Sequence, residues 1–328
     1  MFNNNFLKSE RLLRKCLPLF INVFFYLFSP LFPRPQTTRT PATKPSTQEA
    51  RAMAVGTVLF DYILVGVLFV YWDHVLSGRC ICPVSAACAP FAMAFIFPLK
   101  DDIQARLIWT NFISRAKLNS WAYTWELSLQ HLFCHMPYHF ATFFSLTCAG
   151  FVEFPSIGNF AVMQRVWIET MLMLLMVDVF MSINHKWMHK KSTYFLHKDH
   201  HKGLRNISIG FGLHMSLVDH FFEVGIGIPM LLFCKAVLGH EKKIHFLSIM
   251  LWFISGFQIH SMNPYAPFSF NPVLDYFLRP TVTHNLHHAL QVGYYSAVTK
   301  SHLFSLSGKR SDIDLYNKHM GTHFPCWV

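Results

Sequence analysis

The stretch VWIETMLMLLMVDVFMSINHKWMH, residues 166–189, decides how this 328-residue chain is read. From Val166 to Asn184 it is predominantly apolar and close to the ~20 residues that a helix needs to cross a bilayer. It then runs into His185-Lys-Trp-Met-His189, an H-x3-H whose two imidazoles share one helix face. Further apolar segments lie at approximately Ala52–Trp72, Cys82–Pro98, Leu127–Val152, Phe221–Leu238 and Ile244–Met262. Asp61, Glu223 and Lys235 interrupt them, and the segment from Phe221 is short for a full crossing.

Composition supports a membrane setting. Hydrophobic residues make up 52% and charged ones only 14%, where a soluble domain has about a quarter charged. Mean hydropathy is +0.30 and there are 34 Phe. Ordinary soluble, disordered, coiled-coil and collagen-like classes are excluded. The formal charge of +11 fits basic loops at an anionic leaflet or an acidic partner better than nucleic acid. The eight Cys are scattered without a CxxC, and most read as small buried hydrophobes. Cys80, Cys82 and Cys88 cluster and are weighed as a minor metal or disulfide option.

The chain divides into four parts. Residues 1–51 combine Lys8, Arg11, Arg14 and Lys15, an apolar run to Phe32, and a Pro/Thr-rich basic stretch. These read as an uncleaved signal anchor and a linker. Residues 52–165 form an N-terminal transmembrane region, 166–306 the catalytic region, and 307–328 a tail.

Histidine carries the chemistry. Besides His185 and His189, the chain has His197-Lys-Asp-His200-His201 and His284-Asn-Leu-His287-His288, two copies of H-x2-H-H. A lone His would be a cap or an interface residue, but eight in three clusters point to metal. Imidazole suits Fe, Zn, Cu and Ni, and eight ligands exceed one tetrahedral zinc, so two metals are implied. The second and third clusters meet only if an even number of crossings separates them. The two apolar segments around the short Gly239–Lys243 loop supply such a hairpin. Lys186, Lys190, Lys191, Lys198, Lys202 and Arg205 place this face in the cytosol by the positive-inside rule. His214 and His260 flank the hairpin as additional candidate ligands, and Asp199 and Asp219 as groups that orient imidazoles.

The order H-x3-H, H-x2-H-H, membrane hairpin, H-x2-H-H resembles the fatty acid hydroxylase/sterol desaturase superfamily of non-haem di-iron membrane enzymes. The resemblance covers roughly Val177 to Leu306. Asn271-Pro272 followed by Thr283-His284-Asn-Leu-His287-His288 is most similar to sterol C-5 desaturases. Ser216-Leu-Val-Asp219 resembles the family's His-Pro-Val-Asp element, with Ser216 where the family often has His. Gln291-Val-Gly-Tyr-Tyr295 departs from the family's Asn-Tyr-Gly, and no Trp-Asp follows.

The resemblance implies two Fe ions and O2 acting on a sterol or long-chain lipid. It also implies electrons from NAD(P)H through a cytochrome b5-type partner, and an endoplasmic reticulum membrane. Desaturation and hydroxylation both remain open, including fatty acyl or sphingolipid hydroxylation. The expected fold is all-α, a multi-pass transmembrane bundle with a cytosolic His-rich di-metal cap.

Two rivals are weighed. A zinc protease would need H-E-x-x-H with Glu as base, and Lys186 stands in that place. A divalent-metal transporter would string His along a crossing helix, as His131, His135 and His139 do. That stripe reads better as a packed polar face or part of a lipid entry route.

Overall fold

The computed structural model describes residues 46–77, 96–106, 121–153, 159–203, 212, 214–266, 280–291, 295, 310–320 and 322–324. The expected N-terminal anchor, the Cys80–Cys88 cluster and Asn271-Pro272 lie outside them. The described part is mostly helical, as expected.

Helix α1, Thr47–Ser77, opens on a capping box. The Ser46 hydroxyl accepts the Glu49 N–H at 3.2 Å and the Glu49 carboxylate accepts the Ser46 N–H at 2.7 Å. The linker expected to reach Arg51 therefore gives way to helix at Thr47, because two otherwise orphaned donors are satisfied there. A helical stretch at 96–106 follows. The expected segment Leu127–Val152 is two helices, α2 Trp121–Cys134 and α3 Met136–Cys148. Pro137 lies at the start of α3 and has no N–H to continue the ladder. Strand β1, Val152–Glu153, pairs in parallel with β2, Ile244–His245, a small departure from an all-α fold.

Helix α4, Phe160–Met188, is the axis on which the rest is built. Asn159 caps it, its side chain accepting the Ala161 N–H at 2.9 Å. Val166, Met173, Val177 and Met181 recur at helical spacing on its buried face. Its other face carries exposed Phe160, Trp167, Ile168, Leu175 and Ile183. A water-facing helix would be polar there.

The hairpin follows. α5, Leu217–His220, continues through a π-helical turn, Phe221–Gly225, into α6, Gly227–Val237. α7, Phe246–Gln258, returns. Among the described residues, two helical runs, Phe160–Met188 and Leu217–Val237, are long and apolar enough to cross a membrane. The helix within the expected Ile244–Met262 segment has 13 residues, short of a crossing by itself. Both arms of the hairpin pack on α4. A Cβ at Gly227 would sit 2.8 Å from the Trp252 ring and 2.9 Å from Val177, so this close three-helix contact requires glycine.

Glu169 anchors the end of α4 remote from the histidines. Its carboxylate accepts from Lys235 Nζ at 2.7 Å, Arg165 Nε at 3.0 Å, the His245 N–H at 2.9 Å and Ser248 Oγ at 2.9 Å. One buried carboxylate thus ties α4 to α6, β2 and α7. Removing it takes the anion from Lys235, which keeps a bond to the Lys243 carbonyl, and losing a hydrogen bond to a charged group costs about 1.5–3 kcal/mol. Glu169→Ala is therefore expected to lower the unfolding midpoint strongly, measured by thermal unfolding in detergent. An unchanged midpoint would contradict this account of the hairpin's attachment.

At the other end, Asp61 of α1 accepts from Lys100 and, at 2.6 Å, from Gln258 Nε2. α8, Pro280–Leu290, packs on α9, Arg310–Met320, around Tyr265, Val282, Leu286, Ile313, Tyr316 and Phe324. The expected C-terminal tail is therefore corrected. Ile313, Tyr316 and Met320 form a buried stripe at helical spacing that closes a second core.

Candidate metal centre

Four local structures deliver the histidines to one end of α4. His185 and His189 come from its last turn and cap. His197 follows the 3-10 turn Tyr194–Leu196, and His200 and His201 open the next, His200–Gly203. His260 ends the returning arm of the hairpin. His284, His287 and His288 share one face of α8, three and four residues apart.

These side chains sort into two all-imidazole groups, each able to hold a metal ion, and His197 with Asp219 and Glu223 makes a third such group. The first contains His185, His189, His197, His201 and His287; the second contains His200, His260, His284 and His288. In the first, Nε2 atoms approach at 2.8 Å (His185–His197 and His201–His197), 3.0 Å (His189–His287), 3.1 Å (His201–His189) and 3.2 Å (His287–His201). In the second, His284 Nε2 is 2.7 Å from His260 Nε2 and 3.1 Å from His288 Nε2. Nitrogens each about 2.1 Å from one ion and at right angles to each other lie about 3.0 Å apart.

Hydrogen bonding alone cannot satisfy such a cluster, since every N···N contact needs one protonated partner. His200 Nε2 and the Nδ1 atoms of His185, His200, His201 and His284 are buried without a hydrogen-bond partner. Each would cost ~1–3 kcal/mol if left so. Burial also holds the imidazoles neutral, pushing His189 down to about 4 and His201 to about 2. Each neutral ring keeps one lone pair that it can turn to the centre of its group. The donor set fits a pair of imidazole-preferring transition metals.

Ring orientation is fixed from behind. His197 Nδ1–H donates to Asp219 Oδ1 at 2.8 Å, so its Nε2 is left as the acceptor facing the group. Asp219 is set by Ser216, which accepts the Asp219 N–H at 3.1 Å and donates to Leu196 O at 3.1 Å. The serine standing where the similar family often has His thus holds the helix start against the turn bearing His197. Loss of such an orienting group typically costs 10–100-fold in metal affinity. Asp219→Asn is expected to show a loss of that order in a competitive chelator titration, with the fold retained. Wild-type affinity would show that Asp219 does not orient the site.

Nine of the ten expected ligands are brought together. His214, the tenth, is half-buried and belongs to neither group. It precedes Ser216 and α5. The stripe is a packed polar face, the first of its two expected readings. His131, His135 and His139 gather with His220 in a separate buried cluster, with His220 Nε2 2.6 Å from His139 Nε2. His131 Nδ1 lies 2.8 Å from His135 Nδ1, and His135 Nε2 faces Met215 O at 2.7 Å. No three of these residues form a metal-binding group.

Two further residues stand at the centre without having been singled out as site residues. Tyr295 lies with its ring 5.2–5.7 Å from those of His189, His287 and His185. Glu223 is buried on the π-helical turn beside His185, His197 and His200. Its position inside an apolar segment, where a charge is costly, was the available signal.

An apolar cavity adjoins the second group. Leu174, Val177, Met181, Trp252, Phe253, Phe257 and Ile259 wall it, and His260, His284 and Glu223 form its polar side. Family models, characterised proteins and solved structures give no match to this chain.

Proposed function

We propose that this protein is a membrane-embedded oxidoreductase that desaturates or hydroxylates a sterol or long-chain lipid at a His-held pair of iron ions. The sterol C-5 desaturase pattern is the nearest in appearance. The observation that carries the reading is an apolar cavity against the four-His group, with the five-His group beside it. Iron bound there would supply activation of O2 and abstraction of hydrogen from an unactivated C–H bond. His185, His189, His197, His201 and His287 would hold one ion, and His200, His260, His284 and His288 the other.

The chain's own residues account for the rest. The aliphatic and aromatic cavity wall favours a hydrocarbon ligand and excludes water. His260 and His284 mark the end at which a C–H bond would meet the metals. The outward apolar stripe of α4 suits lipid contact, which supports placing the fold in a bilayer. The basic residues around His185–His201 support a cytosolic face and an acidic electron donor of the cytochrome b5 type, fed by NAD(P)H. An endoplasmic reticulum location belongs to the same reading. A transporter would need metal sites spaced along a path, whereas both groups lie side by side at one end of α4.

Lipid mass spectrometry of cells with and without the protein tests the reading. The expected product has lost two hydrogens or gained one oxygen, and its formation stops without O2. An unchanged lipid profile combined with metal flux into vesicles carrying the protein would contradict it.

A further inference from the structure

Resting on that reading, we propose that Glu223 is a carboxylate ligand bridging the two metal positions, which makes the centre carboxylate-bridged instead of purely imidazole. Its oxygens face different groups. Oε1 lies 3.5 Å from His185 Nε2, a ligating nitrogen of the five-His group, and 3.4 Å from His197 Nδ1, the nitrogen that faces Asp219. Oε2 lies 3.7 Å from His200 Nε2, in the four-His group. His185 and His200 present ligating nitrogens, so the carboxylate lies along the boundary between the groups.

Three independent features agree. Glu223 is 2% exposed, and its Oε1 is buried without a hydrogen-bond partner. A carboxylate buried without compensation is costly, and a pair of cations supplies it. Second, two divalent ions held only by neutral imidazoles would leave a charge of about +4 in an apolar bundle, which a nearby anion offsets. Asp219 is engaged at His197 Nδ1, on the side of that ring away from the metal. Glu223 is the acidic residue that reaches both groups. Third, Glu223 sits on the π-helical turn Phe221–Gly225 inside an otherwise α-helical run. Such a turn inserts one extra residue and rotates the following side chains, and it is frequent at functional sites.

The test is ferrous iron titration of the full-length protein in detergent, with Mössbauer spectroscopy of the oxidised form. Wild type is expected to bind two irons as a magnetically coupled pair. Glu223→Gln keeps the side-chain shape but removes the anion. It is expected to weaken one iron at least tenfold and abolish the coupling, while Glu223→Asp restores part of both. In wild type itself, iron loading is expected to shift a carboxylate stretch in the infrared difference spectrum, a readout independent of how any variant folds. Two coupled irons in wild type, with Glu223→Gln unchanged or no carboxylate shift, overturn the bridge and leave the proposed function standing. No iron in wild type overturns both.

Discussion

His284→Ala is expected to halve the bound metal, from about two ions per chain to about one, and to reduce lipid turnover to below a hundredth. His284 Nε2 is the central contact of the four-His group, touching both His260 and His288. Its side chain also lines the apolar cavity, so under the proposed function the ion it would hold is the one nearest the substrate. Loss of a mere orienting partner costs 10–100-fold in metal affinity, and loss of a ligand costs more. The five-His group does not use His284 and keeps its ion. Elemental analysis of the purified variant reads the first effect and product formation the second. Two retained ions would show that the groups are not independent metal sites.

The second large effect is steric. Gly212 lies directly against the His260 side chain, and a Cβ there would overlap the ring. Gly212 is buried, His260 is half-buried and both line the cavity, so neither can move without disturbing its wall. Gly212→Ala is therefore expected to push His260 away from His284 and lower the affinity of the four-His group by at least tenfold. The other ion should remain in place. Trimming the ring, as in His260→Ala, should produce the same metal loss, and in that background Gly212→Ala should add nothing further. Wild-type metal binding by Gly212→Ala would contradict the close contact.

Much of this organisation was legible in the sequence, because periodicity and spacing are local quantities. The apolar run Val166–Asn184 marks α4, and the repeated H-x2-H-H places several imidazoles on short turns and one helix face. The hairpin argument, which needed only an out-and-back path, anticipated that His260 would return to the boxes. Three features were not legible for identifiable reasons. Glu223 reads as an interruption until the π-helical turn rotates it toward both groups. His214 has the right residue type but joins neither imidazole group, which its sequence position beside the hairpin cannot reveal. The stripe His131, His135 and His139 has the spacing of a helix face, but its fourth member, His220, arrives from a distant segment.

The helix at Arg310–Met320 teaches a related lesson. It looks polar and dispensable because its hydrophobic stripe is narrow, yet Tyr316 and Ile313 are fully buried against α8. That packing supports the helix bearing His284, His287 and His288, so the C-terminal segment contributes to the candidate site without touching it.

The most direct test of the central claim is the metal-to-protein ratio of the purified full-length chain, determined by elemental analysis alongside its His287→Ala and His200→Ala variants. The account predicts about two transition-metal ions in the wild type and about one in each variant, the two variants losing different ions. A wild-type protein without bound transition metal, or variants that retain the full complement, would contradict it.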